Sequence, residues 1–224
     1  MTKRVTEKNN FSYLTGALVV LLFGVSLADE VGFQLGQLLI QAAIIVVLTL
    51  GVWSIKSEAR WYLTRAGLIV AILMVTVAGL FLQWVQMDLI WLVMLLAYLI
   101  QTTWLAMKQV LFTGPVDANK IVGAVCIFLL IGLIWTTLYM IIALLNPEAF
   151  YGLEPGAWYD NFADLVYFSY VSLTTLGYGD MAPAAPIARF MAYAEAVTGQ
   201  FYIAILVASL VGIRISTHRN DQLR

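Results

Sequence analysis

Six apolar runs dominate this chain, near residues 11–28, 34–55, 66–83, 87–107, 119–145 and 187–213. A helix needs roughly 20 residues to cross the hydrocarbon core of a bilayer. Six crossings therefore use over half of the 224 residues and leave little for a folded soluble domain. Backbone polar groups in lipid must be satisfied within the segment, so such runs fold as helices. The composition agrees. The chain is 62% hydrophobic and only 11% charged, against about 25% charged in a soluble domain. The expected fold is an all-α integral membrane protein with six transmembrane helices. A seventh stretch, about 160–174, is shorter and more polar, and reads as a re-entrant element.

Basic residues set the orientation. Lys3, Arg4 and Lys8 precede the first run, and Lys56, Arg60 and Arg65 lie between the second and third. Lys108 and Lys120 flank the gap between the fourth and fifth, while Arg214, Arg219 and Arg224 follow the last. Placing these eleven in the cytoplasm leaves only Arg189 near the outer side. Asp29, Glu30, Asp88, Glu148, Glu154, Asp160, Asp164 and Asp180 gather on that outer side. The pattern predicts a multi-pass protein of the plasma or inner membrane with both termini cytoplasmic. Lys3-Arg4, the first apolar core and Ser26-Leu27-Ala28 also fit a cleavable secretory signal. Cleavage would leave five spans, and intact mass distinguishes the two. Trp53, Trp61, Tyr62, Trp84, Tyr151, Trp158 and Tyr159 sit near the predicted interfaces, where aromatic rings anchor to headgroups.

The formal net charge of −1 does not point to nucleic acid. Cys126 is the single cysteine, so no intrachain disulfide forms and no Cys/His metal cluster exists. His218, the single histidine, lies in the polar tail and reads as solvated. Asn10-Phe11-Ser12 is formally a glycosylation sequon, but falls on the cytoplasmic side. No loop holds a nucleophile–base pair, so an enzyme is not expected. No organic cofactor is implied.

Thr174-Thr175-Leu176-Gly177-Tyr178-Gly179-Asp180 stands between the re-entrant stretch and the last run. This heptapeptide resembles the potassium-channel signature, usually T-V-G-Y-G-D. The resemblance covers about residues 120–215, matching an outer helix, pore helix, filter and inner helix; the first four runs match only in number. It implies K+ ions held by the carbonyls of Thr175, Leu176, Gly177 and Tyr178 and by the Thr175 hydroxyl. An ordinary strand alternates its carbonyls, whereas Gly177 and Gly179 tolerate positive φ and permit another course. Leu176 and Tyr178 side chains are expected to pack behind the filter. One chain carries one filter strand, so four must assemble around an axis as a homotetramer. Asp160 or Asn161 is expected to cap the pore helix, whose C-terminal dipole end then favours a cation.

The sequence departs from that family in several places. Leu176 replaces a common Val or Ile, and Tyr167 and Phe168 stand where two tryptophans are frequent. Tyr167 can reach Asp180, but Phe168 cannot donate a bond to Tyr178. Val171 occupies the place of a glutamate found in some bacterial relatives, so altered inactivation is expected. Together with Thr174, Tyr167 and Asp180, Glu195 is a candidate filter support. By resemblance to bacterial inward-rectifier-type channels it lies behind the filter, with Ser172 and Thr174 as candidate partners; a position at the outer end of the helix is the alternative. Gly199 resembles the hinge of the family, or else marks close helix packing. Ile203, Val207 and Val211 share its face and line a cavity, with Val211 a possible dewetting gate, or else simply pack.

The expected domains are a four-helix unit over 1–110, a pore domain over 119–215 and a short cytoplasmic tail over 216–224. The four-helix unit resembles a voltage-sensor fold without gating charges. Residues 87–107 hold one charge, Asp88, and no basic residue. Each charge moved through the field yields about 2.3 kcal/mol per 100 mV, so steep voltage gating is not expected. The tail leaves no room for an attached cytoplasmic regulatory domain. The link between Lys108 and Lys120, containing Gly114-Pro115, is short and favours packing of the four helices on their own pore domain. A non-selective cation channel and a carrier subunit are the rival functions; the intact G-Y-G opposes the first, and the single motif opposes the second.

Overall fold

A computed structural model describes the backbone of residues 10–30, 37–54, 59–82, 85–111 and 118–222, and the side chains of 11–27, 39–52, 61–79, 86–110 and 119–206. Seven helices follow in order: α1 Asn10–Glu30, α2 Gln37–Ser54, α3 Ala59–Leu82, α4 Val85–Leu111, α5 Ala118–Leu145, α6 Phe162–Leu173 and α7 Pro186–Gln222. Two short strands, β1 Phe150–Tyr151 and β2 Ala182–Pro183, pair antiparallel between α5 and α7. By length and apolarity, three helices among the described residues qualify to cross a membrane: Trp61–Gly79, Gln86–Val110 and Asn119–Leu145. Phe11–Leu27 and Leu39–Val52 are apolar but shorter. The backbone of α7 stays helical through Gln222, beyond the boundary expected at 215. The Gly114-Pro115 link and the side chains of Val207, Val211 and the 216–224 tail lie outside the described residues.

Several polar groups inside the apolar bundle are bonded within it, as a low-dielectric surrounding favours, while Gln101 Oε1, Thr102 Oγ1 and Trp158 Nε1 are buried with no hydrogen-bond partner. Thr76, Thr103, Thr136 and Thr137 return their hydroxyls to the carbonyls four residues earlier, at 2.7–2.9 Å. Trp91 of α4 donates its indole N–H to Thr76 of α3 at 3.1 Å. Tyr98 of α4 donates to the Leu48 carbonyl of α2, and Arg65 of α3, fully buried, reaches the Tyr98 hydroxyl at 3.4 Å.

Helix α5 joins the two halves. A Cβ on Gly123 would stand 2.7 Å from Val110 of α4 and 2.9 Å from Phe11 of α1, so both helices close on α5 there. Trp91 stacks on Trp158, in the segment leading to α6, with ring centroids 4.8 Å apart. Gly132 does the same for α6: a Cβ would lie 2.5 Å from the Tyr170 ring. That approach lets the Tyr170 hydroxyl donate to the Leu129 carbonyl at 2.7 Å.

Candidate functional site

Helix α6 has 12 residues. At 1.5 Å per residue it spans roughly 18 Å, too little to cross the hydrocarbon core. Residues 174–180 emerge from its end. Asn161 is the N-cap residue, the position expected for Asp160 or Asn161, but its side chain makes no capping bond. Asn161 serves by its backbone instead: its carbonyl accepts the Leu165 N–H at 3.0 Å.

The C-terminal carbonyls of α6 are taken up by the strand that follows. Thr174 N–H bonds to Tyr170 O at 3.1 Å, Thr175 N–H to Ser172 O at 3.0 Å and Leu176 N–H to Val171 O at 2.9 Å. From there φ is positive at every second residue: Thr175 at 59°, Gly177 at 61° and Gly179 at 83°. In an extended chain successive carbonyls point to opposite sides. Reversing φ at alternate residues turns alternate peptide planes over, so the carbonyls can share one side. The glycines allow this at no steric cost. Thr175 does not, since a left-handed non-glycine residue costs about 1–2 kcal/mol. The sequence signalled Gly177 and Gly179 but not Thr175, because threonine is a poor candidate for that region.

The side chains of Leu176 and Tyr178 are 57% and 68% exposed within the chain. Tyr178 lies flat against Tyr167, centroids 6.4 Å apart and planes 5° from parallel. Tyr167 donates its hydroxyl to Asp180 Oδ2 at 2.7 Å, and Met181 N–H donates to Oδ1 at 3.1 Å. The Tyr167 bond, before the backbone ones, holds the Asp180 carboxyl below the usual aspartate range. Phe168 packs edge-on against Tyr139 and Phe150 at 5.1 and 5.5 Å. The strand pair ties the segment after α5 to the segment before α7: Phe150 opposes Pro183 and Tyr151 opposes Ala182. Gly152, φ 77°, follows β1, and a Cβ there would overlap the Asp180 carbonyl. Nothing in the sequence announces strands of two residues.

Glu195 of α7 is fully buried behind α6. Its partners are not Ser172 and Thr174. Tyr139 of α5 donates to Oε2 at 2.5 Å, and the Ser169 hydroxyl lies 2.6 Å from Oε1 and 2.8 Å from the Gly132 carbonyl. Ser169 and Ser172 are one turn apart on the same face of α6, so spacing alone does not choose between them. Thr174 instead turns its hydroxyl to Tyr170 O at 2.6 Å. Tyr139, 56 residues from Glu195, carries no sequence signal for this role.

Gly199 is buried, and a Cβ there would overlap the Leu173 carbonyl at the end of α6. Close packing therefore accounts for this glycine, and α7 is helical through it. Gln200 places its side-chain amide 3.1 Å from Thr175 Oγ1. Ile203 is partly open at 39% exposure. Among the described residues no group of His, Cys, Asp and Glu is arranged to hold a metal.

Residues 125–214 match the family model described as "Ion channel". Over 80 residues the chain is 31% identical to two pore potassium channel c of Oryza sativa subsp. japonica, covering 33% of this chain and 18% of that relative. The chain thus spans about a fifth of the length of the curated relative it matches. No solved structure matches. Residues 125–214 are thus similar to ion channels, and the chain carries helices long and apolar enough to cross a membrane.

Proposed function

We propose that the chain is one subunit of a homotetrameric channel that conducts K+ passively and selectively. The observation that carries this is the alternation of left-handed backbone at Thr175, Gly177 and Gly179. It supports a column of carbonyls from Thr175, Leu176, Gly177 and Tyr178, with the Thr175 hydroxyl, standing in for the hydration shell of K+. The similarity to a potassium channel over 80 residues favours the same ion.

A single strand surrounds nothing, so the pore requires further copies. Leu176, Tyr178 and the α7 stripe Phe190, Tyr193, Val197 and Phe201 are exposed in the chain and supply apolar surface for neighbouring subunits and lipid. In this reading α5, α6 and α7 form the pore domain, α1 to α4 form a four-helix unit beside it, and all but α6 cross the membrane. Both termini face the cytoplasm. Asp180, Tyr167, Thr174 and Glu195 support the filter. Ile203, Val207 and Val211 line the inner cavity.

Steep voltage gating is not part of this reading, because α4 presents no basic residue before Lys108 at its last turn. Lys108 is engaged with Trp104 and Trp61, its Nζ 5.2 and 5.9 Å from the ring centroids. The test is reversal potential of the reconstituted protein in opposed sodium and potassium gradients. A reversal near the potassium equilibrium potential is expected; one near zero, with both ions carried alike, contradicts the proposal.

A further inference from the structure

We propose that Gln200 is a positioning residue for the innermost cation site, fixing the orientation of the Thr175 hydroxyl and tying it to the position of α7; this rests on the filter reading above. Two successive residues of α7 meet the base of the filter. Gly199 brings the helix backbone against the Leu173 carbonyl so closely that no side chain fits between. Gln200 then extends its amide to Thr175 Oγ1 at 3.1 Å. Thr175 is the residue whose backbone is left-handed without being glycine, at φ 59°. Its conformation needs support from outside the strand, because such a state persists only where its surroundings hold it.

The hydroxyl has one proton and two lone pairs. The amide N–H of Gln200 occupies one lone pair, and the other remains for a cation on the pore side. Without the amide the hydroxyl proton is free to rotate, and a lone pair faces the ion for only part of the time. Carbonyl ligands further out are untouched, since Gln200 contacts none of them. Any displacement of α7 at Gly199 carries the amide away from Thr175, so the inner site also senses the helix.

The experiment uses the full-length reconstituted protein, with barium, a divalent ion close to potassium in size, applied from the cytoplasmic side. Gln200→Met keeps length and removes the donor. Gln200→Asn keeps the amide but is one methylene too short. In both, barium affinity is expected to fall at least about fivefold, the scale of one lost hydrogen bond, with potassium-over-sodium selectivity and the melting temperature of the assembly unchanged. Unchanged barium affinity overturns the inference. So does a loss accompanied by lost selectivity or a lowered melting temperature, or failure of both variants to assemble, because each indicates a structural role. Should Gln200→Met alone fail to assemble, Gln200→Asn decides. A wild-type protein that passes sodium as readily as potassium sinks the channel reading, whereas a selective wild type whose variants bind barium equally well sinks only the role of Gln200.

Discussion

Glu195 shows how a single carboxyl can organise the packing of α5, α6 and α7. It receives the hydroxyl of Tyr139 from α5 and contacts Ser169 on α6, so three helices meet at one buried side chain. Glu195→Leu leaves the Tyr139 hydroxyl without its acceptor in an apolar surrounding. A loss of about 1–3 kcal/mol is expected, measured as a lower melting temperature of the assembled protein, while Glu195→Gln keeps an acceptor and loses less. Asp180 answers to a different variable. Its carboxyl titrates below the usual range because Tyr167 donates to the charged form. The contribution of this brace is therefore complete above about pH 4, the ordinary aspartate value, and is lost as external pH falls through the lowered one. Currents recorded during external acidification are expected to change only in that acid window, and Asp180→Asn is expected to abolish the change. A transition centred near neutral pH that survives in Asp180→Asn would show the brace to be irrelevant.

The elements meet through glycines whose purpose is contact. At Gly132 the ring of Tyr170 occupies the space of a side chain, and at Gly199 the Leu173 carbonyl does. Gly132→Ala must push α6 from α5, and the overpacking is expected to cost about 1–3 kcal/mol, read as reduced thermal stability with no change of ion selectivity. Element existence was legible from the apolar runs, and the 160–174 stretch is a short helix as its length suggested. The joints between elements were not legible. Ser169 rather than Ser172 meets Glu195 because helical periodicity fixes a face and not a turn. The strands at 150–151 and 182–183 are too short for any alternation to show. Thr175 was named for its oxygens, but its left-handed backbone was not foreseen, because threonine itself disfavours that region. Gln200 carries no motif that would single it out in the sequence.

At the scale of the whole molecule, one chain supplies a quarter of the proposed pore, beside a four-helix unit whose fourth helix lacks the arginines that would move in a field. A conductance–voltage relation in symmetric potassium is expected to be shallow, and a steep one would require gating charge from elsewhere. Leu176 and Tyr178 are uncovered in the single chain, and in the proposed assembly their packing is a property of four chains. Sequence alone reached this far because a filter of main-chain oxygens has a local signature, whereas the surfaces that close a ring do not. The most direct measurement is a planar-bilayer recording of the purified protein between sodium on one side and potassium on the other. Unitary currents reversing near the potassium equilibrium potential are the predicted result; currents reversing near zero, or none at all from a protein that stays monomeric in the bilayer, would contradict it.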